Sequence, residues 1–144
     1  MLNYLMLYSL QKEEKELNFP TNLSANFLVI GKDKDKIISV YRKKFNFTIN
    51  EWNESKIGKV NVGNNKTNLI YLDTKDISKD HGVFEFIINK NSVLDIYYLS
   101  RHGSVVDGNI SSKNKSYLDM NSIVSLGNLN NGKHFEIKLN YELY

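Results

Sequence analysis

Three histidines, at 81, 102 and 134, are the chain's only imidazoles, and cysteine is absent. Their spacing forms no recognised metal motif and no His-Glu-x-x-His pattern occurs, so no metal site is expected. Nucleophilic catalysis has no better footing. Serine is plentiful, yet no Gly-x-Ser-x-Gly elbow holds one, and Ser78 or Ser100 with a nearby histidine is no better than chance. The carboxylate pairs Glu13-Glu14 and Asp73 with Asp76 sit in polar turns, where solvation is the default role. Gly103 and Gly108 stand alone without a helix behind them, unlike a phosphate loop or dinucleotide fingerprint. The chain is not expected to be an enzyme or to carry a cofactor. Sequons such as Asn46-Phe47-Thr48 and Asn109-Ile110-Ser111 arise by chance in an Asn-rich chain. Trp52, Tyr71, Tyr97, Tyr98 and Tyr117 are candidates for a stacking platform, but the adjacent Tyr97 and Tyr98 of a strand point to opposite faces, so at least one is expected in the core.

The elements that position these residues are read from periodicity. The 144 residues, 41% hydrophobic and 24% charged with one proline, have the balance of one ordinary globular domain. The net charge of +3 is mild and spread along the chain, so nucleic acid is not implied. Arginine occurs only at 42 and 101, leaving lysine to stand where other sequences use arginine. Met1 to Leu10 is apolar, but it lacks a basic start and a small-residue cleavage site and falls short of the roughly 20 residues of a membrane span. It reads as a core strand, with no membrane insertion expected and a cytoplasmic or other intracellular location.

Short runs rich in aromatic and β-branched residues recur between polar turns, the pattern of an all-β sandwich or barrel. The strands expected are Tyr4–Leu10, Asn26–Ile30, Ile37–Tyr41, Phe45–Trp52, Lys59–Val62, Asn68–Leu72, Gly82–Ile88, Val93–Tyr98, Ser104–Val106, Ser122–Leu126 and Phe135–Leu139. Phe84, Phe86 and Ile88 alternate with Val83, Glu85 and Ile87, so one face must be core. Lys12 to Glu16 reads as a solvated turn. One domain spans 1–144, with 1–36 as extra N-terminal strands or an early front half and 37–144 as the main sandwich.

Four segments, Val60-Asn61-Val62-Gly63-Asn64, Ile77-Ser78-Lys79-Asp80-His81-Gly82, Ser100-Arg101-His102-Gly103-Ser104 and Leu118 to Gly127, stand in an order that resembles the forkhead-associated (FHA) domain, a β-sandwich that recognises phosphothreonine. Val60-Asn61-Val62-Gly63-Asn64 with Asn68 to Leu72 is similar to its Ile-Gly-Arg turn and following strand. Ile77-Ser78-Lys79-Asp80-His81-Gly82 resembles its Ser-x-x-His block. Asp95 to Ser104, containing Ser100-Arg101-His102-Gly103-Ser104, resembles its Ser-x-Asn-Gly-Thr loop, and Asp107-Gly108 follows where the family has Asn-Gly. Leu118 to Gly127 resembles its Leu-x-x-Gly-Asp-x-Ile-x-Leu-Gly strand. The resemblance covers roughly 59–139 and implies an FHA-like sandwich of about eleven strands whose edge loops bind a phosphorylated protein.

A phosphothreonine presents a charge near −2 and three acceptor oxygens, so its pocket needs cations and hydroxyl or amide donors on rigidly held loops. By the resemblance, Ser78 donates its hydroxyl, Lys79 adds charge, Ser100, Arg101 and His102 approach from the neighbouring loop, and His81 and Gly103 are structural. Two positions depart from the family. Asn64 stands for its arginine and His102 for its asparagine; losing a charged bidentate contact costs roughly 1.5–3 kcal/mol, about 10- to 150-fold in affinity. An earlier stretch, Ile30-Gly31-Lys32, also resembles Ile-Gly-Arg and would make Lys32 the phosphate cation, but it lies 46 positions before Ser78 whereas Asn64 lies 14 before it, nearer the family's spacing. Two functions therefore stand side by side. One is a phosphothreonine reader; the other is a degenerate FHA sandwich used as a phosphate-independent scaffold in a signalling or secretion assembly. Oligomeric state stays open.

Overall fold

Alternation of core and outward positions organises the chain into strands, as a period of two requires. A computed structural model describes residues 19–102, 104–111, 115–128 and 132–144. Among them the regular elements are eleven strands: β1 (Asn22–Asp33), β2 (Lys36–Thr48), β3 (Ser55–Gly63), β4 (Ile70–Tyr71), β5 (Gly82–Ile88), β6 (Leu94–Ser100), β7 (Ser104–Val106), β8 (Asn109–Ser111), β9 (Lys115–Leu118), β10 (Ile123–Gly127) and β11 (Lys133–Leu143). They form a six-stranded sheet in the order β2-β1-β11-β10-β7-β8 and a five-stranded sheet in the order β4-β3-β5-β6-β9. Among the described residues these strand pairings are antiparallel except that of β3 with β4. The expected all-β sandwich is the fold observed.

The inner faces of the two sheets supply the core. Leu23, Ala25, Phe27 and Val29 of β1 face Phe84, Phe86 and Ile88 of β5, and all seven are essentially fully buried. Phe27 touches Phe84 edge-on, with ring centroids 4.9 Å apart. Of the tyrosine pair, Tyr98 is core and Tyr97 faces outward against Tyr117. Trp52 packs on the core beside Phe19 and donates its indole N–H to the Pro20 carbonyl at 2.7 Å, so it is a packing residue.

Some boundaries differ from the expectation. The two strands expected at Ile37–Tyr41 and Phe45–Trp52 are one strand, β2, because Arg42-Lys43-Lys44 lies exposed at the sheet edge, where charges need no burial. Trp52 falls beyond it. Short, polar β8 and β9 offered no hydrophobic run to detect. Residues 22–33 are β1, paired to β2 on one side and β11 on the other, so this stretch is built into the sandwich rather than added to it. The expected strand Tyr4–Leu10 and the Lys12–Glu16 turn lie outside the described residues. At the β7–β8 turn, Asp107 and Gly108 take φ of 49° and 83°, the left-handed pair of a tight type I′ hairpin.

Tyr98 links this core to the candidate site. Its hydroxyl hydrogen-bonds Ser104 Oγ at 3.1 Å, and its ring occupies the space a side chain on Gly82 would need. Burial pushes the phenol up to about 12, with hydrogen bonds from Ser104 and Ser100 pulling the other way. In the unfolded chain the phenol ionises near 10, so the folded state holds the proton more tightly. The contribution is complete below pH 10 and is lost between pH 10 and about 12, roughly 2–3 kcal/mol in all. Unfolding free energies across that window should fall more steeply for the native chain than for Tyr98→Phe; parallel curves would remove Tyr98 as the cause.

Candidate functional site

Three loops meet at one end of the sandwich, and His81 holds them together. This residue is buried at the start of β5, where its backbone N–H donates to Val62 O at 2.9 Å and its carbonyl accepts Arg101 N–H at 3.0 Å. Its Nδ1 accepts the Ser78 backbone N–H at 3.1 Å, which places the neutral ring's proton on Nε2. One histidine thereby ties the end of β3, the β4–β5 loop and the β6–β7 loop into one unit.

A second set of bonds fixes Ser78-Lys79 from the β3–β4 side. Asn64 N–H donates to Ser78 O at 2.9 Å. Buried Asn68 donates through Nδ2 to Asn65 O at 2.9 Å and Lys79 O at 2.7 Å. Asn61 Oδ1 accepts the Leu69 N–H at 2.7 Å and pins the same loop to β3. Gly63 must lack a side chain, because a Cβ would run into the Lys79 carbonyl oxygen and the Asn68 amide. With the backbone so committed, Ser78 is half-buried, and Lys79, Arg101 and His102 on the same joined loops are exposed. The His102 ring lies 5.8 Å from that of His81. Among the described residues neither Lys79 nor Arg101 is in an ion pair, leaving both cations available to an anion.

The sequence candidates divide accordingly. Asn64, Ser78, Lys79, Arg101 and His102 sit on the three joined loops. Ser100 does not serve as expected: it is fully buried and its hydroxyl donates to the His102 carbonyl, so it braces the loop from inside instead of facing a ligand. Lys32 lies in β1 opposite His134, in the other sheet, and its ammonium pairs with Glu136 at 3.1 Å. The Gly-Asn step that ends β3, not the Gly-Lys step within β1, adjoins Ser78. Gly103 lies outside the described residues. Sequence reasoning did not find the cavity of about 370 Å³ beside these loops, lined by Lys59, Asn61, Thr67, Asn68, Asp80 and Arg101 among others. The density of asparagine from 61 to 68 was its one local signal, since asparagine side chains tie irregular loops to neighbouring backbone.

No protein-family model matches the chain, and no curated protein matches it. Solved structures do. Full-length yeast Pml1p is 16% identical, with 83% of each chain covered and a TM-score of 0.55. The FHA domain of MEK1 is 15% identical over 79% of this chain and 89% of that one, with a TM-score of 0.51. An engineered FHA solved with a Myc-pTBD peptide is 16% identical over 79% and 91%, with a TM-score of 0.52. The fold is that of an FHA-like β-sandwich. The chain is a divergent form of that fold, with Asn64 following Gly63 at the end of β3. No helix among the described residues is long and apolar enough to cross a membrane.

Proposed function

We propose that this chain is a protein-interaction module that reads phosphothreonine in a partner through Ser78, Lys79, Arg101 and His102. The observation that carries the reading is the His81 brace, which joins the backbones of the two loops that bear the Ser78 hydroxyl and the exposed Lys79 and Arg101. A phosphate of charge near −2 is well matched by such a set, and charge-assisted hydrogen bonds are about twice as strong as neutral ones. The same-fold engineered FHA solved with a peptide supports the reading by analogy of fold.

Asn64 favours a second reading. It offers an amide where the family resemblance calls for a guanidinium, and its backbone is already bonded to Ser78. On that reading the sandwich is a phosphate-independent scaffold. Same-fold Pml1 is described as a yeast splicing factor integrated into the RES complex, a role defined by assembly.

The two are separated by fluorescence anisotropy with matched phosphothreonine and threonine peptides. Ser78→Ala should weaken binding of the phosphorylated peptide by roughly 10-fold with an unchanged melting temperature, and Asn64→Arg should strengthen it by a similar factor. Equal affinity for both peptides, in the native chain and in Asn64→Arg, would decide for the scaffold.

A further inference from the structure

We infer that the outer edge of β2 is a second interaction surface, one that takes an acidic, extended segment of a partner protein as an added strand. β2 is thirteen residues long and stands at the outside of the six-stranded sheet, paired among the described residues to β1 alone. Along an antiparallel edge every second backbone N–H and C=O points away from the sheet, so a long edge is a ready template for pairing. Its first half adds apolar surface, since Ile37, Ile38 and Val40 are 60%, 52% and 53% exposed.

Charge selects the partner. β2 holds Lys36, Arg42, Lys43 and Lys44 and no carboxylate. Pairing with a second copy of β2 would bring like charges together, which costs energy on a sheet, whereas carboxylates would be drawn to the strand. The sheet register sharpens this. Leu28 is flanked by Arg42 on β2 and by Lys138 on β11, while Asn26 is flanked by Lys44 and Asn140. A cavity of about 470 Å³ opens there, lined by both Arg42 and Lys138, by Asn26, Asn121 and Asn140, and by no acidic residue. Val40, Arg42 and Lys44 alternate onto one face of the strand. The segment that fits therefore presents apolar side chains opposite Ile38 and Val40 and carboxylates opposite Arg42 and Lys44. This surface belongs to the sheet that does not carry the Ser78 loop, and it does not depend on the phosphothreonine reading.

The test uses the full chain, isotope-labelled, with an acetylated peptide in which Thr alternates with Val, Val, Glu and Glu, and a control carrying Lys for Glu. The expected result is saturable amide shifts along 36–44, with affinity for the control lower by about 10-fold, which is roughly 1.4 kcal/mol. Arg42→Glu with Lys44→Glu should produce a loss of the same order while leaving the melting temperature in place, as both side chains are exposed. Lys138→Glu on β11 gives an independent check should the double variant fold poorly. Absence of saturable shifts, an equal response to the Lys control, or shifts confined to Ser78 and Arg101 would each overturn the proposal. So would binding that emerges only after Glu13, Glu14 and Glu16 are changed to Gln, because the chain's own first residues would then be the occupant.

Discussion

Phe27→Ala is expected to lower the unfolding free energy by about 3–5 kcal/mol, much of the margin of a typical domain. Phe27 is fully buried in mid-β1 and meets rings from both directions: Phe84 at 4.9 Å and Phe86 at 6.5 Å from the five-stranded sheet, and Phe45 at 5.8 Å from β2. Removing it loses transfer free energy and leaves a cavity between sheets whose strands are held by long hydrogen-bonded ladders and cannot collapse readily. Urea denaturation at constant m-value would measure the loss, and Phe27→Leu should recover part of it. A cost below about 1 kcal/mol for the alanine would show that the two sheets do not share the core described here.

Gly63→Ala is expected to damage stability and the loop end together. The added methyl meets backbone, the Lys79 carbonyl, along with the Asn68 amide that bonds it, so relief requires moving the β4–β5 loop away from β3. Overpacking of this kind costs on the order of 1–3 kcal/mol. The Asn64–Ser78 bond would be displaced with it, and phosphopeptide binding should fall along with the melting temperature. Ser78→Ala, which deletes one exposed-side donor, should affect binding alone. Unchanged stability in Gly63→Ala would mean that the β3 end and the Lys79 carbonyl are farther apart than described.

Much of this was legible in the sequence because strand alternation is a local signal. Phe84, Phe86 and Ile88 read as a core face from their spacing, and Asp107-Gly108 was singled out by its match to the family's Asn-Gly. That Ser78, Lys79, Arg101 and His102 lie on loops joined at one end was legible through motif order. Ser100 was not, because sequence identifies a hydroxyl without the direction in which it points. Nor was the choice between Lys32 and Asn64, which turns on which glycine ends a strand beside Ser78, a long-range pairing matter. β2 was divided in two because its basic run lacks the apolar alternation of a core strand, and only an edge position makes that run compatible with a continuous strand.

On the proposed function, the loops joined by His81 read a phosphate. The most direct test is a titration of the labelled full chain with a degenerate phosphothreonine peptide pool against the same pool unphosphorylated, following backbone amides. Phosphate-dependent shifts are expected at Ser78, Lys79, Arg101 and His102, with Asn64 moving and Lys32, paired to Glu136, staying still. Identical responses to the two pools up to millimolar peptide would contradict it and leave the loop end as architecture alone.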